Sequence, residues 1–195
     1  MELIKPQHRI LKPRILTPDE ALALTPQELV ALRRSGVMMP IAGGAVTAFV
    51  YGNFLLGLMS ATPARQVIWA TDPVKVALCT SSYTPNQDTD TFWNTAQANE
   101  MASGGGYTTG GVALAGKTST YDGTSNEARF TATSPVTWTF TGTHAFRYGV
   151  LYKDTGTAST APLIAYIDYG AQSITDSTFN SNIDSTHGIF TLTAS

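Results

Sequence analysis

The chain has 195 residues, a net charge of −2 and a pI near 5.8, with 13% of its residues charged and 43% hydrophobic. Folding a chain of this size buries about 70% of the surface an unfolded one exposes, so no disulfide or metal staple is required, and the apolar content excludes wholesale disorder. The near-neutral balance also excludes a general positive field for nucleic acid or anionic lipid. Threonine takes the place of charge: 25 of the residues from Thr71 to Ser195 are Thr, which predicts a neutral, hydroxyl-rich exterior. The single cysteine, Cys79, rules out an internal disulfide framework and, set in an apolar strand pattern, reads as a small core residue.

The first 16 residues carry Lys5, Arg9, Lys12 and Arg14 against Glu2 alone, and Pro6 and Pro13 keep them extended. They contain no continuous apolar stretch of the kind a secretory signal needs. Two helix starts follow, Thr17-Pro18-Asp19-Glu20 and Thr25-Pro26-Gln27-Glu28, each with an N-cap hydroxyl, a proline at N1 and a glutamate at N3. The second predicts a short helix from Pro26 to Ser35 that ends at Gly36. Arg33 and Arg34 lie in its last turn, where the dipole favours cations, and Leu29, Val30 and Leu32 seek a partner surface.

Val37 to Met59 is free of charge, which raises a membrane span, but Pro40, Gly43, Gly44, Gly52, Asn53 and Gly57 suit an extended run into a buried helix instead. An apolar stretch of this kind predicts a contact surface, with Ile41 and Val46 among its residues, buried in a homo-oligomer, a trimer being favoured, or against another subunit. The reading therefore divides the chain into an arm, 1–47, with one or two short helices, and a β domain, 48–195. That domain opens with a helix from about Ala48 to near Pro63, with Phe49, Leu55, Leu56 and Met59 as buried positions.

Beyond the helix the period changes to two. Val74, Val76 and Leu78 alternate with Lys75, Ala77 and Cys79, and Phe146, Tyr148, Val150 and Tyr152 with Arg147, Gly149, Leu151 and Lys153. Further strands are expected at Val112 to Thr118, Ser119 to Tyr121, Ala128 to Thr133, Val136 to Phe140, Leu163 to Tyr169, Phe179 to Ile183 and Ile189 to Thr193, parted by turns such as Asp122-Gly123 and Asp154-Thr155-Gly156. Short strands without intervening helices predict a mainly β fold, an antiparallel β-sandwich or jelly roll. The stretch from Thr80 to Gly111 reads as a loop too polar to be core.

No catalytic constellation emerges. His8, His144 and His187 are widely separated, and Gly104 to Gly106, Gly110 and Gly111 lack the strand, helix and Lys-Ser/Thr context of a phosphate loop. Asn86, Asp88 and Asp90 could offer oxygens to a cation, yet no EF-hand pattern completes them. Glutamates are too few for a pair of carboxylates acting on sugars. Trp93, Trp138, Tyr107, Tyr148, Tyr152, Tyr166 and Tyr169 could line a sugar-binding face, but their alternate strand positions read as core and cross-strand pairs. The residues predict no enzyme, no cofactor and no metal.

Five stretches carry a resemblance as a set. They are Val74 to Asp88, Gly106-Tyr107-Thr108-Thr109-Gly110-Gly111, Arg147 to Gly156, Pro162 to Gly170 and the closing Gly188-Ile189-Phe190-Thr191-Leu192. In that order the chain, from about Phe49 to its end, resembles a family of small β-rich virion structural proteins of tailed bacteriophages. The resemblance implies a non-enzymatic virion component present in many copies, and it carries no functional residue across. The expected function is a capsid decoration or cement protein whose β domain sits on the shell and whose arm lies across neighbouring subunits. The alternative is a tail fibre, baseplate or receptor-binding component that contacts host glycans. Its expected partners are the major capsid protein or other virion subunits and further copies of itself, with no membrane or nucleic-acid role. Lys5, Arg9, Lys12, Arg14, Leu29, Leu32, Arg33, Arg34, Ile41 and Val46 are the candidate partner-binding residues. An extended segment gains about 3.3 Å of reach per residue, which suits an arm that spans subunits.

Overall fold

The computed structural model describes residues 48–59, 65–183 and 188–193, all within a unit that spans Gly43–Ser195. In chain order the elements are β1 (Ala48–Val50), α1 (Gly52–Met59), β2 (Val74–Cys79), α2 (Asn94–Gln97), β3 (Val112–Ala113), β4 (Thr118–Asp122), β5 (Glu127–Thr131), β6 (Val136–Thr139), β7 (Thr143–Lys153), β8 (Leu163–Thr175), β9 (Thr178–Ser181) and β10 (Phe190–Thr193). They make a five-stranded sheet β1-β8-β7-β2-β3, a three-stranded sheet β10-β5-β4 and the pair β6-β9, and every strand pairing is antiparallel. The fold is mainly β, as the alternation predicts, and the three sheets share one hydrophobic core. The expected arm, 1–47, lies outside the described residues.

β7 and β8 are the spine of the domain. They are longer than the alternation alone suggests, because the hairpin continues through Thr143↔Thr175 beyond the apolar stretch. Two register shifts, between Phe146 and Tyr148 and between Leu151 and Tyr152, let β8 carry extra residues, and such irregularities bend a strand and increase its twist. Arg147 bridges the first shift, with Nε and Nη2 bonded to the two oxygens of Asp168 at 3.0 and 2.8 Å.

The core of the large sheet differs from a half-solvated one. Val74, Val76, Leu78 and Leu151 are buried on one face, and Ala77, Cys79, Tyr148, Val150 and Tyr152 are buried on the other. The second face is closed by the stretch from Thr80 to Gly111, which is therefore not excluded from the core. It inserts Tyr83, Trp93, Ala96, Met101 and Tyr107, and Trp93 stacks on Tyr152 with centroids 4.5 Å apart and planes within 4°. A few large apolar side chains in a polar stretch suffice to cover a sheet face, since each aromatic ring buries a large area.

The start of the domain also differs from expectation. Ala48 to Val50 form a strand, not the first turn of a helix. Phe49 lies opposite Tyr166 and stacks on it at 5.1 Å, because residues with strand preference meet the free edge of β8. Gly52 N donates to the Gln87 carbonyl where α1 begins. In α1 the inward side carries Phe54 and Gly57, which leaves Leu55 and Leu56 exposed rather than buried; Phe54 meets Phe190 edge-on at 5.7 Å. The side chain of Met59 lies outside the described residues. No helix among the described residues is long and apolar enough to cross a membrane.

The single strand expected from Val112 to Thr118 is two elements. Gly116 takes a left-handed conformation (φ 57°), and the chain leaves β2 after Ala113 to join β5 from Thr118. Trp69 ties the sheets together. It meets Phe130 and Phe190 edge-on at 5.9 and 5.5 Å, and its Nε1 donates to the Thr131 carbonyl at 2.9 Å.

Candidate functional site

A surface pocket of about 290 Å³ opens where β2, the end of β7 and the covering loop meet. Lys75 stands opposite Tyr152 in the β2–β7 register, so its ammonium projects past the aromatic stack to Asp154, with Nζ 2.6 Å from Oδ2. The Asp154-Thr155-Gly156 turn completes that carboxylate's setting, since Gly156 N donates to Oδ1 at 2.9 Å. The hydrogen bond from Lys75, then that from Gly156 N, hold the Asp154 carboxyl below its ordinary pKa.

Glu100 faces the same pocket from the loop. Its Oε1 accepts the Tyr107 hydroxyl at 2.7 Å and the Gly110 N–H, and the Tyr107 oxygen in turn accepts Leu78 N at 3.0 Å. The Tyr152 hydroxyl donates to the Gly110 carbonyl at 2.8 Å, so the double-glycine turn is held on both sides. Partial burial pushes the Glu100 carboxyl up, against the opposing pull of Tyr107, Gly110 N and Lys75. The arrangement offers one ammonium and two carboxylates, whose hydrogen bonds are largely spent on holding the loop.

The sign of the Glu100 shift gives a test. A carboxyl with a raised folded pKa contributes stability that is complete below the ordinary carboxylate range and is lost as pH rises through the raised value. Glu100→Gln keeps an acceptor for Tyr107 and Gly110 and removes the charge. Its melting midpoint is expected to match wild type at pH 4 and to exceed it at pH 7. A lower midpoint at pH 7 would show that attraction to Lys75 outweighs desolvation.

In the Asn86, Asp88 and Asp90 loop the side-chain oxygens of Asn86 and Asp90 serve as internal acceptors. Asp90 is buried, and its Oδ2 accepts the Tyr83 hydroxyl at 2.8 Å and Asn86 N at 3.1 Å; Tyr83 and Tyr51 hydroxyls meet at 2.8 Å. Asn86 Oδ1 takes the N–H groups of Asp88 and Thr89. Among the described residues no group of three or more His, Cys, Asp and Glu could hold a metal ion. Cys79 is buried against Ala96, and burial pushes its thiol pKa up, the opposite of what a nucleophile needs. His144 stacks on Phe140, with Nε2 3.1 Å from the Thr141 carbonyl. The other two histidines lie outside the described residues.

The aromatic residues weighed as a sugar platform are structural. Trp93, Trp138, Tyr107, Tyr148 and Tyr152 are buried, and Tyr166 and Tyr169 are half-buried. The exterior is instead made of hydroxyls. Thr137 meets Asn180 at 2.8 Å, Thr139 meets Thr178 at 3.3 Å and Thr143 meets Thr175 at 2.8 Å, so cross-strand pairs run from β6-β9 into β7-β8. Beneath them the alternate positions turn Trp138, Phe140 and Phe146 inward, with Phe146 4.8 Å from Phe179.

The ten residues expected to bind partners, Lys5, Arg9, Lys12, Arg14, Leu29, Leu32, Arg33, Arg34, Ile41 and Val46, all lie outside the described residues. The sequence pattern does not point to the Lys75, Glu100 and Asp154 pocket; its one signal is that Glu100 falls between Trp93 and Tyr107, two of the large aromatics of an otherwise polar stretch. No family model, no curated protein and no solved structure matches the chain.

Proposed function

We propose that this chain is a structural component of a tailed-phage virion, a capsid decoration or cement protein that binds the shell through its N-terminal arm. The observation that carries the reading is where the stretches behind the sequence resemblance lie. Val74 to Cys79 form β2, Arg147 to Lys153 belong to β7, Leu163 to Gly170 belong to β8, and Gly106 to Gly111 close the loop over the sheet. The likeness is thus one of framework and not of a reactive centre, which suits a role in load-bearing packing. The neutral face of paired threonines supports the same reading, because side chains already bonded to one another allow close approach of other subunits without a large desolvation cost.

A protein that binds only the assembled shell stabilises it by mass action. Particles that lack this chain are expected to release DNA at a lower temperature than complete ones, and adding back the full chain, but not one lacking Met1 to Thr47, restores retention. Equal release from both kinds of particle, together with lost adsorption to host cells, would overturn the cement reading in favour of a tail component.

A further inference from the structure

β4 is an open edge. It is bonded to β5 on one side only, and no backbone hydrogen bond from any other described residue reaches Thr118–Asp122. An antiparallel strand directs alternate pairs of N–H and C=O groups to each side, so β4 presents a row of them outward. Its two faces are uncovered as well: Thr118 to Tyr121 are exposed, and Tyr121 retains 63% of its surface.

Such edges are ordinarily blunted by proline, a bulge, an inward charge or extreme shortness. β4 has none of these devices. Its register with β5 is unbroken from Thr118↔Thr131 to Asp122↔Glu127. The flanking charges are turned back onto their own chain, Lys117 Nζ to the Leu114 carbonyl at 3.2 Å and Asp122 to Arg129 at 2.6 Å. The edges of the large sheet are shorter, three residues at β1 and two at β3.

We propose that β4 is an association edge, at which a second copy of this chain adds its own β4 in antiparallel register about a two-fold axis. The strand is self-complementary in that direction. With Thr120 opposite Thr120 of the second copy, Ser119 faces Tyr121, Thr118 faces Asp122, and no like charges stand opposite one another. β-Branched and aromatic cross-strand pairs favour such a ladder, and a two-fold contact needs only one kind of surface. The product is a continuous sheet with three strands from each copy. This contact is independent of the virion reading, and it differs in symmetry and location from the trimer expected from the apolar run at 37–59.

The test uses the full-length chain. Thr120→Cys places two thiols opposite each other, and directly opposed residues of an antiparallel pair are about 4.5–5.5 Å apart at Cα, within disulfide range. Mild oxidation is expected to link Thr120→Cys into dimers much faster than Thr178→Cys, an exposed control on β9. Thr120→Lys and Thr120→Glu, each alone, are expected to weaken self-association by about tenfold or more in sedimentation, because like charges then oppose each other across the axis. An equimolar mixture of the two restores it. A chain that is monomeric across the micromolar range, equal linking of the two cysteine variants, or wild-type association by Thr120→Lys would each overturn the proposal.

Discussion

Trp93→Ala is expected to lower stability by about 3–5 kcal/mol, the usual cost of removing a buried tryptophan. Trp93 is 3% exposed and lies flat on Tyr152, and its backbone N–H donates to the Ala161 carbonyl at 2.8 Å. It is thus the point at which the long covering loop is fastened to the spine of the sheet. Without the ring, one side of Tyr152 would lose its contacts, and α2, which follows directly, would lose its anchor. Trp93→Phe keeps one ring on the stack and should lose less than half as much. The measurement is the urea midpoint with its slope. A loss below about 1 kcal/mol for the alanine variant would show that the loop unfolds separately from the sheet and is not part of the cooperative core.

Gly111→Ala is expected to destabilise by about 3 kcal/mol or more, while Gly110→Ala next to it costs about 1 kcal/mol. Both glycines have positive φ, 91° at Gly110 and 70° at Gly111, so a side chain is strained at either. They differ in what surrounds them. A Cβ at Gly110 would find its nearest neighbours, the Tyr152 hydroxyl and Lys75 Nζ, at 3.6 and 3.8 Å. A Cβ at Gly111 would overlap the Val76 carbonyl oxygen and press on Ala77, both backbone of β2, which cannot move without breaking its pairing to β7. The pair therefore separates conformational strain from steric exclusion. Equal thermal midpoints for the two variants would show that the chain at Gly111 lies further from β2 than the structure places it.

The exposed Leu55 and Leu56 show how local pattern and tertiary environment part company. An apolar helix with no charge reads as buried, yet eight residues wrap only about two turns, and one face is all that can meet the sheets. Tyr51 just before the helix, Phe54 and Gly57 take that face. A Cβ at Gly57 would collide with the carbonyl of Arg65, so the returning chain passes close to the helix there.

The alternation of side chains by itself determined β2, β6, β7 and the first half of β8, because strand side chains point to opposite faces in turn and that period of two shows directly in the sequence. Composition likewise determined the hydroxyl-rich exterior, since a chain with so few charges must cover its surface with something else that hydrogen bonds to water. Tertiary structure alone decided that β2 and β7 are buried on both faces, because the covering side chains come from a stretch whose average composition is polar and whose few aromatics give no periodic signal. It alone decided that Ala48 to Val50 pair with β8, since three residues are too few for any period to show and their bonds come from residues more than a hundred positions away. The pocket between Lys75, Glu100 and Asp154 and the open edge at β4 have the same origin. Each depends on which strands become neighbours, a long-range choice made by the packing of the whole core and not by any local run of residues.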